Sequence, residues 1–201
     1  MILFWPNTPH LLLKIRTFII IFKMRNLLIV GSSGFLGSYF VKKFRNKYNL
    51  FAVINKSKLI QSKVTKLKLN ILNHKQIYSF VKDNNIDLII NFAGLTSVEK
   101  CQVNRDKAYT SHVIIPNKLK SIAKFLNIGF VHISTDHLFD GKYKGKYSEK
   151  SKTKPLNIYA KTKLLGENKI KNYKKSLIIR TNFFGKSLTK KKTFADKILA
   201  N

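Results

Sequence analysis

Tyr159 and Lys163 stand four residues apart in the stretch Tyr-Ala-Lys-Thr-Lys. On a helix that spacing puts both side chains on one face. A free tyrosine ionises near ~10, too high for fast proton exchange at neutral pH. A neighbouring ammonium favours the phenolate and lowers that value, so the pair suits proton transfer to or from an oxygen. Upstream, Ser134, Thr135 and Asp136 close an apolar run and add two hydroxyls. Lysine is common here, with 39 Lys and Arg against 9 Asp and Glu. A Tyr–Lys pair alone therefore carries little weight, and its meaning depends on the elements around it.

Those elements alternate. Apolar runs with strand character are Leu27–Val30, Leu50–Ile54, Val64–Leu69, Asp87–Phe92, Gly129–Ile133 and Ser176–Ile179. Helical periodicity fills Phe35–Asn46, Lys75–Lys82, Asp106–Phe125 and Tyr159–Lys171. Short apolar strands separated by helices predict an α/β fold with a doubly wound parallel sheet, the Rossmann arrangement. Ligands of such sheets bind at the carboxyl ends of the strands, where Ser134 and Thr135 fall. The polar stretch Phe139–Asn157, with Gly141, Gly145 and Pro155, reads as a long loop leading to the Tyr–Lys helix.

Between the first of these strands and its helix lies Gly31-Ser32-Ser33-Gly34-Phe35-Leu36-Gly37. Gly31 suits a tight turn, Gly34 a close approach of backbone to a pyrophosphate, and Gly37 tight packing of helix on strand. The helix N-terminus offers N–H groups and a positive dipole end. Gly31, Ser33, Gly34, Phe35, Leu36 and Gly37 are thus candidate dinucleotide contacts. The next strand ends without a carboxylate, in Ile54-Asn55-Lys56. Asn55 and Lys56 suit a 2′-phosphate, which favours NADP(H), with NAD(H) as the alternative.

In order and separation, "GSSGFLG", "INFAGLTSVEKC", "HISTDHLFDG", "YSE", "PLNIYAKTKLLGE" and "IIRTNFFG" resemble the extended short-chain dehydrogenase/reductases. The resemblance covers nearly all of Met24–Asn201 and is nearest the dTDP-4-dehydrorhamnose reductase family. It implies reduction of a 4-keto nucleotide sugar for a surface polysaccharide. Tyr159 would be the general acid, Lys163 would hold the nicotinamide ribose, and Thr135, with Ser134 as the alternative, would hydrogen-bond the reacting oxygen. Ala93 and Gly94 would approach the cofactor. Ser134, His137 and Asn182 would lie toward the substrate. Arg180 would line that region or serve as an ion-pair partner, and Glu167 would be structural. His137 replaces a tyrosine usual in the family, and His112 replaces an asparagine; His112 is expected to be a satisfied packing residue. Asn70 and Asn73 stand where relatives often carry aspartates near the adenine. The resemblance also implies a small C-terminal substrate domain, of which this chain holds only the start. A cofactor-binding regulatory subunit without catalysis is the alternative function, and a homodimer is a further expectation.

The formal net charge is +30 over 201 residues. The lysines are scattered and not interleaved with aromatics, so specific nucleic-acid binding is not expected. One cysteine, Cys101, excludes an intrachain disulfide and a Cys-based zinc cluster, and fits a cytoplasmic protein. No metal site is expected. Residues 1–23 read as an extension that need not be native, because Met24 could start the chain directly before the first strand. Their apolar run, broken by Lys14 and Arg16, is far short of the ~20 residues of a membrane span, so membrane association is not expected.

Overall fold

The computed structural model describes residues 2–5, 8–54, 63–143, 147–183 and 188. One seven-stranded sheet organises them. Its strands are β1 (Ile2–Trp5), β2 (Asn26–Val30), β3 (Asn49–Val53), β4 (Thr65–Leu67), β5 (Leu88–Asn91), β6 (Gly129–Thr135) and β7 (Ser176–Thr181). They are ordered β1-β7-β6-β5-β2-β3-β4, and every neighbouring pair is parallel. The helices are α1 (Thr8–Ile21), α2 (Phe35–Phe44), α3 (His74–Asp83), α4 (Val98–Val103), α5 (Arg105–Tyr109), α6 (Ile115–Phe125) and α7 (Ile158–Ile170). A π-helical turn, Thr110–Ile114, joins α5 to α6, and a 3₁₀ turn, Asp136–Leu138, follows β6.

Strands buried on both faces read as unbroken apolar runs. The pleat then deals alternate residues to two cores. Leu27 and Ile29 of β2, Val131 and Ile133 of β6, and Leu177 and Ile179 of β7 face α1 and α2. Leu28 and Val30, Phe130, and Ile178 face α3 and α6. All six strands read from the sequence form, and the helical stretch 106–125 is divided by the π turn.

Residues 1–23, read from the sequence as an extension, contribute to the sheet and the core where they are described. Ile2–Trp5 pairs with Ile178–Thr181 of β7 at the sheet edge. Helix α1 buries Leu12, Ile15, Phe18 and Ile19 in the first core and exposes Lys14 and Arg16.

Candidate active site

The glycine loop begins at the carboxyl end of β2. Gly31 has φ +81°, a left-handed conformation that glycine adopts without strain, and an added Cβ would lie 2.5 Å from the Ala93 nitrogen. A Cβ on Gly37 would lie 2.2 Å from the Gly31 carbonyl oxygen. The loop is therefore pressed between the start of α2 and the turn after β5. Gly34 caps α2 without a side-chain hydrogen bond, and the first intrahelical bond runs from the Ser38 N–H to the Gly34 carbonyl. The N–H groups of Phe35, Leu36 and Gly37 precede that bond and face outward from the helix end. Ser33 and Phe35 are half-buried and Gly34 is exposed. With no side chain capping these N–H groups, the cradle fits a pyrophosphate. Asn55 and Lys56 lie outside the described residues. Asn73 caps α3 by accepting from the Gln76 N–H, and Asn70 accepts from the Leu72 N–H. Both asparagines are thus used in local turn and cap bonds.

Thr135 is the last residue of β6, and Tyr159 lies in the first turn of α7, whose start Asn157 caps through the Ala160 N–H at 2.8 Å. The Thr135 hydroxyl donates to Asp136 Oδ1 at 3.2 Å and stands near enough to the Tyr159 phenol to favour its ionised form. Thr135 also accepts from the His137 N–H at 3.2 Å. The Tyr159 ring meets His112 and His137 edge to face, at centroid distances of 5.4 and 5.7 Å. Burial pushes the Tyr159 pKa up, and the nearby Thr135 hydroxyl opposes it in part. The sequence reading expected Lys163 to pull it down. Here Lys163 turns inward: its Nζ donates to the Ile133 carbonyl and faces His132 Nε2 at 3.5 Å. Burial lowers the Lys163 pKa to about 8, with nearby Glu167 working the other way.

The remaining candidates divide. Ser134 is buried, and its Oγ has no hydrogen-bond partner among the described residues. An orphaned hydroxyl at this edge fits a bound polar group. His137 is exposed and lines a cavity of about 390 Å³ with Asp136, Phe139, Tyr147, Leu156 and Asn157. Asn182 is exposed. Ala93 and Gly94 follow β5 beside the glycine loop, and a Cβ on Gly94 would meet the His112 ring at 3.8 Å. Arg180 pairs with Glu167 through Nη2 at 2.8 Å and Nε at 3.1 Å, both side chains buried, so of its two expected roles the ion pair is the one seen.

His112 is buried with both ring nitrogens bonded: Nε2 to the Leu95 carbonyl at 2.9 Å, Nδ1 to the Thr162 hydroxyl at 2.8 Å. A carbonyl only accepts, so Nε2 carries the proton and Nδ1 is bare toward the Thr162 hydroxyl, which also reaches the Ile158 and Tyr159 carbonyls at 2.8 and 3.0 Å. Burial, reinforced by Lys163, lowers the pKa of His112 to about 3 and keeps it neutral. Sequence reasoning passed over His132, Asn91's partner at 3.1 Å. A polar residue two before Ser134, on the same strand face, was the available signal. Among the described residues no cluster of His, Cys, Asp and Glu is arranged to hold a metal, and no helix is long and apolar enough to cross a membrane.

A parallel sheet with a glycine cradle at one strand end and a Thr–Tyr–Lys cluster at another defines an extended short-chain dehydrogenase/reductase. More narrowly, the chain belongs to the family described as RmlD substrate binding domain, whose model matches residues 24–200. It is 32% identical over 163 residues to a dTDP-4-dehydrorhamnose reductase of Aggregatibacter actinomycetemcomitans, covering 80% of this chain and 52% of that protein. It is 31% identical over 162 residues to a spore coat polysaccharide biosynthesis protein of Bacillus subtilis, covering 80% and 53%. Among solved structures, a dTDP-4-dehydrorhamnose reductase from Bacillus anthracis in complex with NADP superposes with a TM-score of 0.75 at 25% identity, covering 88% of this chain and 59% of that one. The chain spans about half the length of the curated relatives it matches.

Proposed function

We propose that the chain carries the cofactor-binding and proton-donating part of an NADP(H)-preferring reductase acting on the keto group of a nucleotide sugar. The observation that carries this is the Tyr159 ring packed edge to face on His137 at the end of β6, beside Thr135, with Lys163 one turn on along the same helix and the glycine cradle at the neighbouring strand ends. When bound, the nicotinamide supplies the hydride. Phe35, Leu36 and Gly37 would hold the pyrophosphate through backbone N–H groups, and Lys163 would reach the nicotinamide ribose. Tyr159 would give its proton to the carbonyl oxygen as that oxygen gains charge. Its raised pKa keeps the phenol protonated at neutral pH, the state a donor needs. Thr135 would orient both the phenol and the oxygen. The cavity beside His137 and Tyr147 is the natural side for the sugar. A cytoplasmic homodimer belongs to the same proposal, with sedimentation velocity as its test.

The direct test titrates the chain with NADPH and NADH by nicotinamide fluorescence. It then follows cofactor oxidation with dTDP-4-dehydrorhamnose, for this chain and for one extended to the length of its relatives. Tyr159→Phe should leave NADPH affinity within about threefold and lower turnover by at least ~10²-fold, the scale of a lost general acid. Equal turnover by the extended wild type and its Tyr159→Phe variant would show that Tyr159 is not the donor. NADPH binding by both proteins without turnover would favour a non-catalytic cofactor-binding subunit.

A further inference from the structure

A buried hydrogen-bond chain runs behind the catalytic cluster, through two residues that nothing above gives a role. The Ala93 N–H donates to Asn91 Oδ1 at 3.1 Å. The other end of that amide, Asn91 Nδ2, lies 3.1 Å from His132 Nδ1. His132 Nε2 in turn lies 3.5 Å from Lys163 Nζ. Asn91 and His132 are both fully buried. They sit in register on adjacent strands β5 and β6.

Each link decides the next. A backbone N–H can only donate, so the Asn91 atom facing it is the carbonyl oxygen, and the atom facing His132 is the NH₂. The NH₂ can only donate, so His132 Nδ1 carries no proton. Burial holds the ring neutral, with the charge of Lys163 adding to the effect, so its single proton is on Nε2. That N–H points at Lys163 Nζ. An ammonium has no lone pair with which to meet it, whereas a neutral amine has one. The other neighbours of Nζ cancel this pressure only in part. The Ile133 carbonyl accepts one N–H. Glu167, one turn on along α7, favours the ammonium but shares its charge with Arg180. His112 on the π turn is neutral, and burial keeps Tyr159 on α7 a protonated phenol.

We infer that Asn91 and His132 are positioning residues for Lys163, forming a relay that ties its proton occupancy to the backbone at Ala93. The inference rests on the reading above that Lys163 acts at the cofactor ribose. Its consequence is a lysine that holds a proton weakly enough to exchange it during a reaction cycle. The tie is mechanical: if the turn at Ala93 moves, Asn91 is free to rotate its amide, the His132 tautomer reverses, and Nε2 becomes an acceptor that favours the ammonium.

The test reads Lys163 in the cofactor-free chain, by NMR of side-chain-labelled lysine, with the signal assigned by its loss in Lys163→Arg. The wild-type midpoint should lie at about 8. His132→Phe, which removes the N–H, should raise the midpoint by about one unit or more, the scale of one such contact. His132→Gln, whose amide can again present an N–H, should return it toward wild type. Ring ¹⁵N shifts should show His132 protonated on Nε2. An unchanged midpoint in His132→Phe, or a ring protonated on Nδ1, would overturn the inference. NADPH titrations run alongside separate the two claims. A shifted midpoint without any NADPH binding keeps the relay and removes the cofactor reading.

Discussion

Lys163, His112 and His132 are bases whose burial disfavours the charged form, and they couple the site to pH. Lys163 has a folded-state pKa near 8, below the 10.5 of an ordinary lysine. Its stabilising contribution is therefore present only above 10.5 and is lost by the time pH falls through 8. At neutral pH the folded chain carries the full penalty of the buried ammonium. Lys163→Met should raise the unfolding free energy at pH 7 by ~1–3 kcal/mol while weakening NADPH binding at least tenfold. A variant that is both less stable and equally tight would contradict this account of the lysine. The histidines share the sign in another window. His112 is lowered from 6.5 to about 3 and His132 well below 6.5. Their contribution is complete above pH 6.5 and lost as pH falls toward the folded values. Two such sites cost together ~2–3 kcal/mol per pH unit below 6.5. Urea midpoints measured between pH 7 and 5 should fall steeply, and less so in His112→Gln. A flat profile would mean that the rings protonate without disturbing the fold.

Among the elements, the junction of α7 with the π turn is the tightest. A Cβ on Gly166 would lie 2.0 Å from the His112 carbonyl oxygen, a backbone atom that cannot swing aside. Gly166→Ala must therefore separate α7 from the π turn, at a cost of ~2–4 kcal/mol in a urea melt. It should also disturb the Thr162–His112 bond that keys α7 to the turn after β5. Retention of wild-type stability would show that the helix can slide without penalty. The sequence announced Gly166 only as part of a motif, and the π turn not at all, since Thr110–Ile114 has no local feature that separates it from α-helix. Tertiary packing on α7 selects it. Strands fared better because a fully buried strand is apolar throughout, as Leu27–Val30 is. Tyr159, Lys163 and Thr135 were legible because one helical spacing and one strand end fix their positions. His132 was not, because its role depends on Asn91, 41 residues away in the chain and adjacent only once β5 pairs with β6. Helix α1 was missed for another reason. Lys14 and Arg16 interrupt its apolar run, but Leu12, Ile15, Phe18 and Ile19 follow helical spacing, and the two cations point to solvent.

Across the whole molecule, the two faces of the sheet are covered by different parts of the chain. On one face α3 and α6 share the second core. On the other, α2 and α1 are the helices whose buried residues join the first core, which includes Leu88, Ile90, Val131, Ile133, Leu177 and Ile179 of β5, β6 and β7. A chain starting at Met24 lacks α1 and the edge strand β1. It uncovers the edge and the inner face of β7, where Leu177 and Ile179 lie in the first core. Leu12, Ile15, Phe18 and Ile19 are each no more than 6% exposed. At ~1.5–3 kcal/mol for each buried side chain, their combined burial approaches the ~5–15 kcal/mol total stability of an ordinary domain. Ordering the segment offsets part of this. The chain from Met24 should therefore melt well below the full chain or fail to melt cooperatively, and should bind a hydrophobic dye. Ile15→Asp in the full chain, which keeps the segment but charges its buried face, should weaken it in the same direction. If the chain from Met24 melts with the full chain and leaves the dye dark, α1 is an appendage, and the strands beneath it are covered by some other means.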